Sequence, residues 1–201
     1  MIRVLLAEDQ AMVRGALAAL LIREQDIEIV AEVARGDEVV GAALSTRPDV
    51  ALLDIEMPGG DGLAASKALR EALPTCRSVI LTTFGRSGYL RRAMESGAVG
   101  FLLKDAPASE LAVALRRIMA GELVVDPDLA LAALSEGSNP LTPRERDVLS
   151  SSLYGASLAE IAAQLYLSEG TVRNHLSTAM QKLNAHNRME AARLAEKKGW
   201  L

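Results

Sequence analysis

A motif repeated five times constrains this chain more than any other feature: a short β-rich run, then a helical period. The runs are Ile2–Ala7, Glu28–Val33, Val50–Leu53, Val79–Thr82 and Val99–Leu103, and the helical patterns occupy 11–23, 37–46, 62–72, 88–97 and 107–120. The runs are almost continuously apolar, as strands covered on both faces must be, rather than alternating as half-exposed strands do. Strand–helix alternation of this kind implies a parallel sheet with right-handed crossovers, an α/β fold with helices on both faces. Aromatics are 3% of a chain that is 50% hydrophobic, so its cores must be built from Leu, Val, Ile and Ala.

Ligands in such folds bind beyond the carboxyl ends of the strands, so the residues that follow each run are informative. Glu8-Asp9 follows the first and Asp54 the third; Thr82-Thr83 closes the fourth and Lys104 follows the fifth. Three acids, a hydroxyl and a lysine on one rim are the inventory of a Mg²⁺-assisted acyl-phosphate site. A carboxylate such as Asp54 can attack phosphorus. Glu8 and Asp9 offer the hard oxygen ligands that a small octahedral cation takes. Lys104 can balance phosphoryl charge, and Thr82 can hydrogen-bond to it. Each residue alone has a blander reading: an acid after a strand usually caps a helix, and Pro58-Gly59-Gly60 is a turn by composition. Complementary chemistry at four strand ends is what points to a site.

These residues carry a resemblance. Residues 1–120 resemble the receiver domain of two-component response regulators, through AED, LLDIEMPGGDG, ILTT and GFLLKD. The resemblance implies a flavodoxin-like doubly wound (βα)5 sheet of strand order 2-1-3-4-5. It implies phosphorylation of Asp54 by a sensor histidine kinase, with Mg²⁺ or Mn²⁺ required. By position, Glu8, Asp9, Asp54 and the backbone carbonyl of Glu56 would ligate metal, and Thr82 and Lys104 would contact the phosphoryl group. Thr82 and Phe101 would form a switch: the hydroxyl moves toward the new oxygens and the ring turns into the space it leaves. Two states a few kcal/mol apart would then exchange population.

Two departures from the common pattern stand out. Glu8 occupies a place often held by aspartate, which leaves metal binding intact. Asp105 stands where a proline usually follows the lysine, and the nearest proline is Pro107. Aspartyl-phosphate phosphatases share a nucleophile, Mg²⁺ and a lysine, but carry the nucleophile after the first strand and an aspartate two residues on. Here Asp54 follows the third strand and Glu56 holds that second position. The expected catalysis is limited to the chain's own phosphotransfer and dephosphorylation.

Residues 121–140 lack a clear period and read as a linker. One short helix is expected over Asp126–Leu134, with Asp126 as N-cap and Pro127 at the first helical position. Beyond it the helix signals become regular. Thr142-Pro143-Arg144-Glu145 and Ser157-Leu158-Ala159-Glu160 are capping boxes, Asn187-Arg188-Met189-Glu190 is a looser one, and Ser168 can cap a further helix. Helix starts are therefore expected near 143, 158, 169 and 188. The second helix buries Leu158, Ile161, Ala162 and Leu165; the third buries Val172, Leu176, Ala179 and Leu183. Opposite that stripe lie Gly170, Asn174, Ser177, Thr178 and Gln181, flanked by Arg173: a short polar face suited to a DNA major groove. A polar helix face is more often merely solvated, so this reading needs further support.

A second resemblance supplies it. Residues 141–192 resemble the LuxR-type helix-turn-helix of the NarL/FixJ family, through LTPRERDVL, GASLAEIAAQLYLSEGTVRNHL and QKLNAHNRMEA. It implies an all-α four-helix domain over 141–201 whose third helix reads DNA and whose fourth helps to dimerise. Arg173, Asn174 and Ser177 would contact bases; Thr171, His175 and Lys182 would meet phosphates, which fix register without specifying sequence. The implied partners are promoter DNA, a second copy on phosphorylation, and RNA polymerase. A finer resemblance, in AEDQAMVRGALAALL, LTTFGRSGY and GTVRNHLS, is to the DesR subgroup of regulators, which control membrane-lipid desaturation.

Charge agrees weakly with this division. Residues 1–139 carry a net charge of −6 and residues 140–201 a net charge of +2. No apolar run approaches the ~18–20 residues of a membrane span, and the N-terminus enters a strand with no signal-peptide pattern. A soluble cytoplasmic protein is expected. Cys76 is the only cysteine, which excludes an internal disulfide framework.

Overall fold

The computed structural model describes residues 1–83, 87–105, 108–135 and 139–201. Six strands form one sheet: β1 (Ile2–Ala7), β2 (Ile27–Val33), β3 (Val50–Asp54), β4 (Arg77–Thr82), β5 (Gly100–Leu103) and β6 (Val124–Val125). Every pairing is parallel, in the order β2-β1-β3-β4-β5-β6. The first five strands and their order are as the strand–helix alternation and the resemblance imply. The sixth was not expected. Two residues are too few to show a period, and they fall in the stretch read as linker. There Gly121, at φ +94°, turns the chain back so that Val124 and Val125 pair with Gly100 and Phe101.

Helices α1 (Ala11–Leu21), α2 (Val39–Thr46), α3 (Gly62–Ala72), α4 (Ser87–Ser96) and α5 (Ala108–Met119) alternate with the first five strands. The central strands are wholly enclosed: Val50 to Asp54 are all buried. Val4, Leu6, Val50, Leu52 and Val79 form a core with Leu21 of α1 and with Leu111, Leu115 and Ile118 of α5. Each such aliphatic side chain contributes about 1.5–3 kcal/mol relative to exposure. This packing makes the sheet a rigid platform for the loops at its carboxyl edge.

Helix α6 (Pro127–Ser135) follows, and the amide of Leu129 donates to the carboxylate of Asp126 at 3.0 Å. That is the expected cap. The chain divides into two compact units, with residues 1–85 and 90–131 in the first and most of the second formed by 132–201.

The second unit contains α7 (Pro143–Ser152), α8 (Leu158–Leu165), α9 (Glu169–Leu183) and α10 (Arg188–Lys197). All four start where the capping signals place them. Both capping boxes close. Thr142 and Ser157 accept from the amides of Glu145 and Glu160 at 3.3 and 3.2 Å, and each glutamate accepts from the cap residue's own amide at 2.7 Å. The third box is looser because Glu190 reaches one residue further back, accepting from the amide of His186 at 2.8 Å. Between α8 and α9, Tyr166 adopts a left-handed conformation (φ 55°) that ends one helix and aims the next. Val148, Leu149, Ile161, Val172, Leu176, Ala179, Ala191, Ala195 and Trp200 form this unit's core.

Candidate functional site

The carboxyl edge of the sheet gathers the acids. Glu8 and Asp9 lie just past β1, Asp54 ends β3, and one carboxylate oxygen of each lies within 4.8 Å of the others. Glu8 and Asp54 are buried at 1% and 5% exposure, whereas Asp9 is open to solvent. Lys104, past β5, reaches into the cluster with its side chain 7% exposed. Its Nζ stands 2.6 Å from Glu8 Oε2 and 3.1 Å from Asp54 Oδ1. Asp54 Oδ1 also accepts the amide of Ile55 at 2.8 Å, and among the described residues no hydrogen bond reaches Oδ2.

Three carboxylates thus face one ammonium in a mostly buried pocket. The electrostatics show the imbalance. Burial pushes the carboxyls of Glu8 and Asp54 above their usual range, and the pull of Lys104 does not offset it. Among the described residues, the Lys104 ammonium is the one polar group that meets Glu8 Oε2. Excess negative charge and hard oxygen donors are what a small divalent cation would complement.

Local sequence explains how these groups are held. Gly62 donates its amide to the carbonyl of Ile55 at 3.0 Å, and a β-carbon there would lie 2.0 Å from the carbonyl oxygen of Asp54. The loop after Asp54 can therefore fold back on itself only with glycine at this position. Asp61 then caps α3 through the amide of Ala64 at 2.6 Å. Glu56 lies in the same loop with its side chain exposed. Arg14, on α1, donates to the main-chain oxygen of Glu8 at 2.6 Å and pins the loop that carries the acidic pair. Sequence reasoning missed Arg14, because an arginine inside a helical period carries no signal of its carbonyl partner.

Thr82 and Phe101 are buried at 2% and 0% exposure. Thr82 is in register with Leu103, two residues along from Phe101, so hydroxyl and ring share one face of the sheet. The ring already lies fully inside. The departure at Asp105 concerned the loop through Ala106 and Pro107, which lie outside the described residues.

In the second unit, α9 buries Val172, Leu176, Ala179 and Leu183 and nothing else, as expected from its period. Arg173, Asn174, Ser177, Thr178 and Gln181 are exposed together, while Thr171 and His175 are half-buried. The hydroxyl of Thr171 lies 2.8 Å from that of Ser168, the cap of α9. Lys182 differs from the other basic candidates. Its Nζ is 2.9 and 2.7 Å from the two carboxylate oxygens of buried Glu145, on α7. That partnership too was invisible in the sequence.

Comparison with known proteins gives these two surfaces a family. Residues 4–116 match the response regulator receiver domain, and residues 139–195 match the bacterial regulatory proteins of the luxR family. The chain is a LuxR-type response regulator. It is 44% identical over its full length to the uncharacterized transcriptional regulatory protein YvfU of Bacillus subtilis (strain 168), and covers all of that protein. It is equally, 44%, identical to the transcriptional regulatory protein DesR of the same organism, across 100% of this chain and 99% of that one. The DesR resemblance is therefore real but does not single DesR out.

Among solved structures, the response regulator ChrA of a heme-sensing two-component system is 34% identical with a TM-score of 0.59, over 100% of this chain and 98% of that one. The RcsB–DNA complex shares the fold at 23% identity, with a TM-score of 0.67 and 98% coverage of both chains. As a member of this family, the chain is a DNA-binding transcription regulator controlled through its receiver. Among the described residues, no helix of this regulator is long and apolar enough to cross a membrane.

Proposed function

We propose that Asp54 is the phosphoacceptor and that its modification governs DNA binding through α9. One observation carries this reading: the buried carboxylate of Asp54 shares a pocket with Lys104 and with the carboxylates of Glu8 and Asp9. Residues 1–120, with β6 added to their sheet, form the receiver, the rest of 121–140 the linker and 141–201 the DNA-binding domain. A bond forms between Asp54 Oδ2 and phosphorus, while the nitrogen–phosphorus bond of the sensor kinase's phosphohistidine breaks. The imidazole leaves with that electron pair and gains a proton from solvent. The receiver's own residues catalyse this transfer and the later hydrolysis.

Glu8, Asp9, Asp54 and the carbonyl of Glu56 would hold Mg²⁺ or Mn²⁺, whose charge offsets that of the phosphoryl oxygens. Lys104, already beside Asp54, supports the same charge. Thr82 donates its hydroxyl to a phosphoryl oxygen. Phosphorylation adds about −1.5 to −2 charges, and Thr82 and Phe101 relay the change to the surface of β4 and β5. Two copies then meet promoter DNA on half-sites ~34 Å apart. Arg173, Asn174 and Ser177 read bases; Thr171 and His175 meet phosphates, and Lys182, paired with Glu145, adds no net charge there. RNA polymerase is the downstream partner.

The test uses acetyl phosphate or carbamoyl phosphate with Mg²⁺. Wild type should gain an acid-labile adduct on Asp54 by mass spectrometry, form dimers and bind DNA more tightly, and Asp54→Ala should lose all three. An unaltered response in Asp54→Ala would refute the proposal. Equal DNA affinity with and without phosphodonor would instead favour a receiver that only dimerises.

A further inference from the structure

We infer that Glu145 is a positioning residue for DNA recognition, acting through its ion pair with Lys182 to fix α9 against α7. The inference rests on α9 being the DNA-reading helix and adds how that helix is held. Glu145 is buried at 4% exposure, and both its oxygens are used. Oε1 and Oε2 lie 2.9 and 2.7 Å from Lys182 Nζ, while Oε2 also accepts the amide of Thr142 at 2.7 Å. One carboxylate therefore closes the first turn of α7 and grips the last turn of α9.

Helical geometry says what the grip controls. At ~100° per residue, Lys182 and Arg173 lie on opposite flanks of the polar face, about half a turn apart around the axis. A helix free to roll about its axis would carry Arg173, Asn174 and Ser177 with it. A roll of about 10° moves atoms at the ~5–6 Å outer radius by about 1 Å, more than the ~0.5 Å that a preorganised site tolerates. The apolar stripe of Val172, Leu176, Ala179 and Leu183 fixes which face is buried. An ion pair with two short contacts has direction.

The pair also matches the charge of Lys182 inside the protein. Its ammonium therefore contributes little net charge to the DNA-facing field. This separates the inference from a plain phosphate contact. A phosphate-neutralising lysine lowers the slope of log K against log salt by about 0.9 when removed. A positioning pair changes affinity and leaves the slope.

The experiment measures fluorescence anisotropy of the full chain, treated with carbamoyl phosphate and Mg²⁺, on a duplex that wild type selects from a random-sequence pool. Glu145→Gln keeps an oxygen for the Thr142 amide, because capping boxes accept glutamine, and removes only the charge. Glu145→Gln and Lys182→Met should each weaken binding roughly tenfold, and the double variant no further, as coupled partners do. The salt slope should match wild type, and Lys182→Arg should restore binding. Asp147→Asn removes one negative charge from the exposed surface of α7, where Asp147 pairs with Arg144 at 3.4 Å, and should leave affinity unchanged.

Should Glu145→Gln unfold, as its Trp200 emission would report, Lys182→Met and Lys182→Arg carry the test at a side chain that is 31% exposed. Tighter or equal binding by folded Glu145→Gln would overturn the inference, as would a slope lowered by about 0.9 in Lys182→Met. Failure of wild type to select any duplex would instead sink the reading of α9 as a DNA helix.

Discussion

Replacing Lys104 by methionine would expose how the acidic pocket is balanced. Its ammonium lies 2.6 Å from Glu8 and 3.1 Å from Asp54, with all three side chains at most 7% exposed. At an effective dielectric of ~20, the gross attractions are about 6 and 5 kcal/mol. Much of this is offset by desolvation, so the net cost of removing one partner from such a buried group is about 3–5 kcal/mol. Urea unfolding in EDTA reads this directly. With a slope near 2 kcal/mol per molar, the receiver midpoint should fall by roughly 2 M. The chain's single tryptophan, Trp200, is buried in the helical unit, so its fluorescence transition serves as an internal reference that should not move. Added Mg²⁺ provides the second half of the test. With the competing ammonium gone, the three carboxylates should bind the cation more tightly than in wild type. At a hundredfold excess over Kd it should return about 2.7 kcal/mol. An unshifted circular-dichroism midpoint in EDTA, or a Mg²⁺ response no larger than that of wild type, would refute the reasoning.

Three further outcomes follow from the packing of single side chains. Gly62→Ala places a methyl 2.0 Å from the Asp54 carbonyl oxygen, so it should cost the receiver about 1–3 kcal/mol and slow phosphorylation, as thermal melting and adduct formation would report. Burial, reinforced by the charge of Asp49, pushes the Cys76 thiol up to about 12; the native chain should resist a thiol-specific reagent near pH 8 and react only after urea is added. Burial raises the Glu145 carboxyl, but the bonds from Lys182 and Thr142 outweigh it and hold it below its ordinary 4.5, while the Ser157 cap lowers Glu160 similarly. Depressed carboxyls stabilise the fold above their unfolded values and lose that contribution as pH falls through the folded ones, so the Trp200 transition should weaken below pH 4.5, less steeply in Glu145→Gln.

The periodic parts of the fold were legible in the sequence. Capping chemistry is local, so Thr142, Ser157, Ser168 and Asn187 marked four helix starts that the structure reproduces. Continuous apolar runs marked five strands for the same reason, since burial on both faces leaves its signature in each run. The sixth strand was not legible, because Val124 and Val125 pair with β5 only once the fold has brought them there. The pocket followed a similar rule. Glu8, Asp9, Asp54 and Lys104 could be gathered from strand ends, because topology alone brings strand ends together. Arg14 on Glu8, and Lys182 on Glu145, depend on side-chain reach between helices and loops, which no spacing in the chain encodes.

The two lysine–carboxylate groups are built of the same residue types and balanced in opposite ways. At Lys104, burial wins: three carboxylates share one ammonium, and Glu8 and Asp54 sit above their usual range. At Lys182, pairing wins: one carboxylate meets one ammonium with both oxygens and a cap amide, and Glu145 sits below its usual range. The first arrangement is left short of positive charge, which is the condition that the proposed cation and phosphoryl group require. The second is satisfied by the protein itself, so its charge is spent on geometry, holding one helix against another. A pocket that stores imbalance can respond to chemistry, whereas a pair that has none left can only transmit position. A regulator needs both: the receiver must change when modified, and the helix it governs must meet DNA in a single orientation.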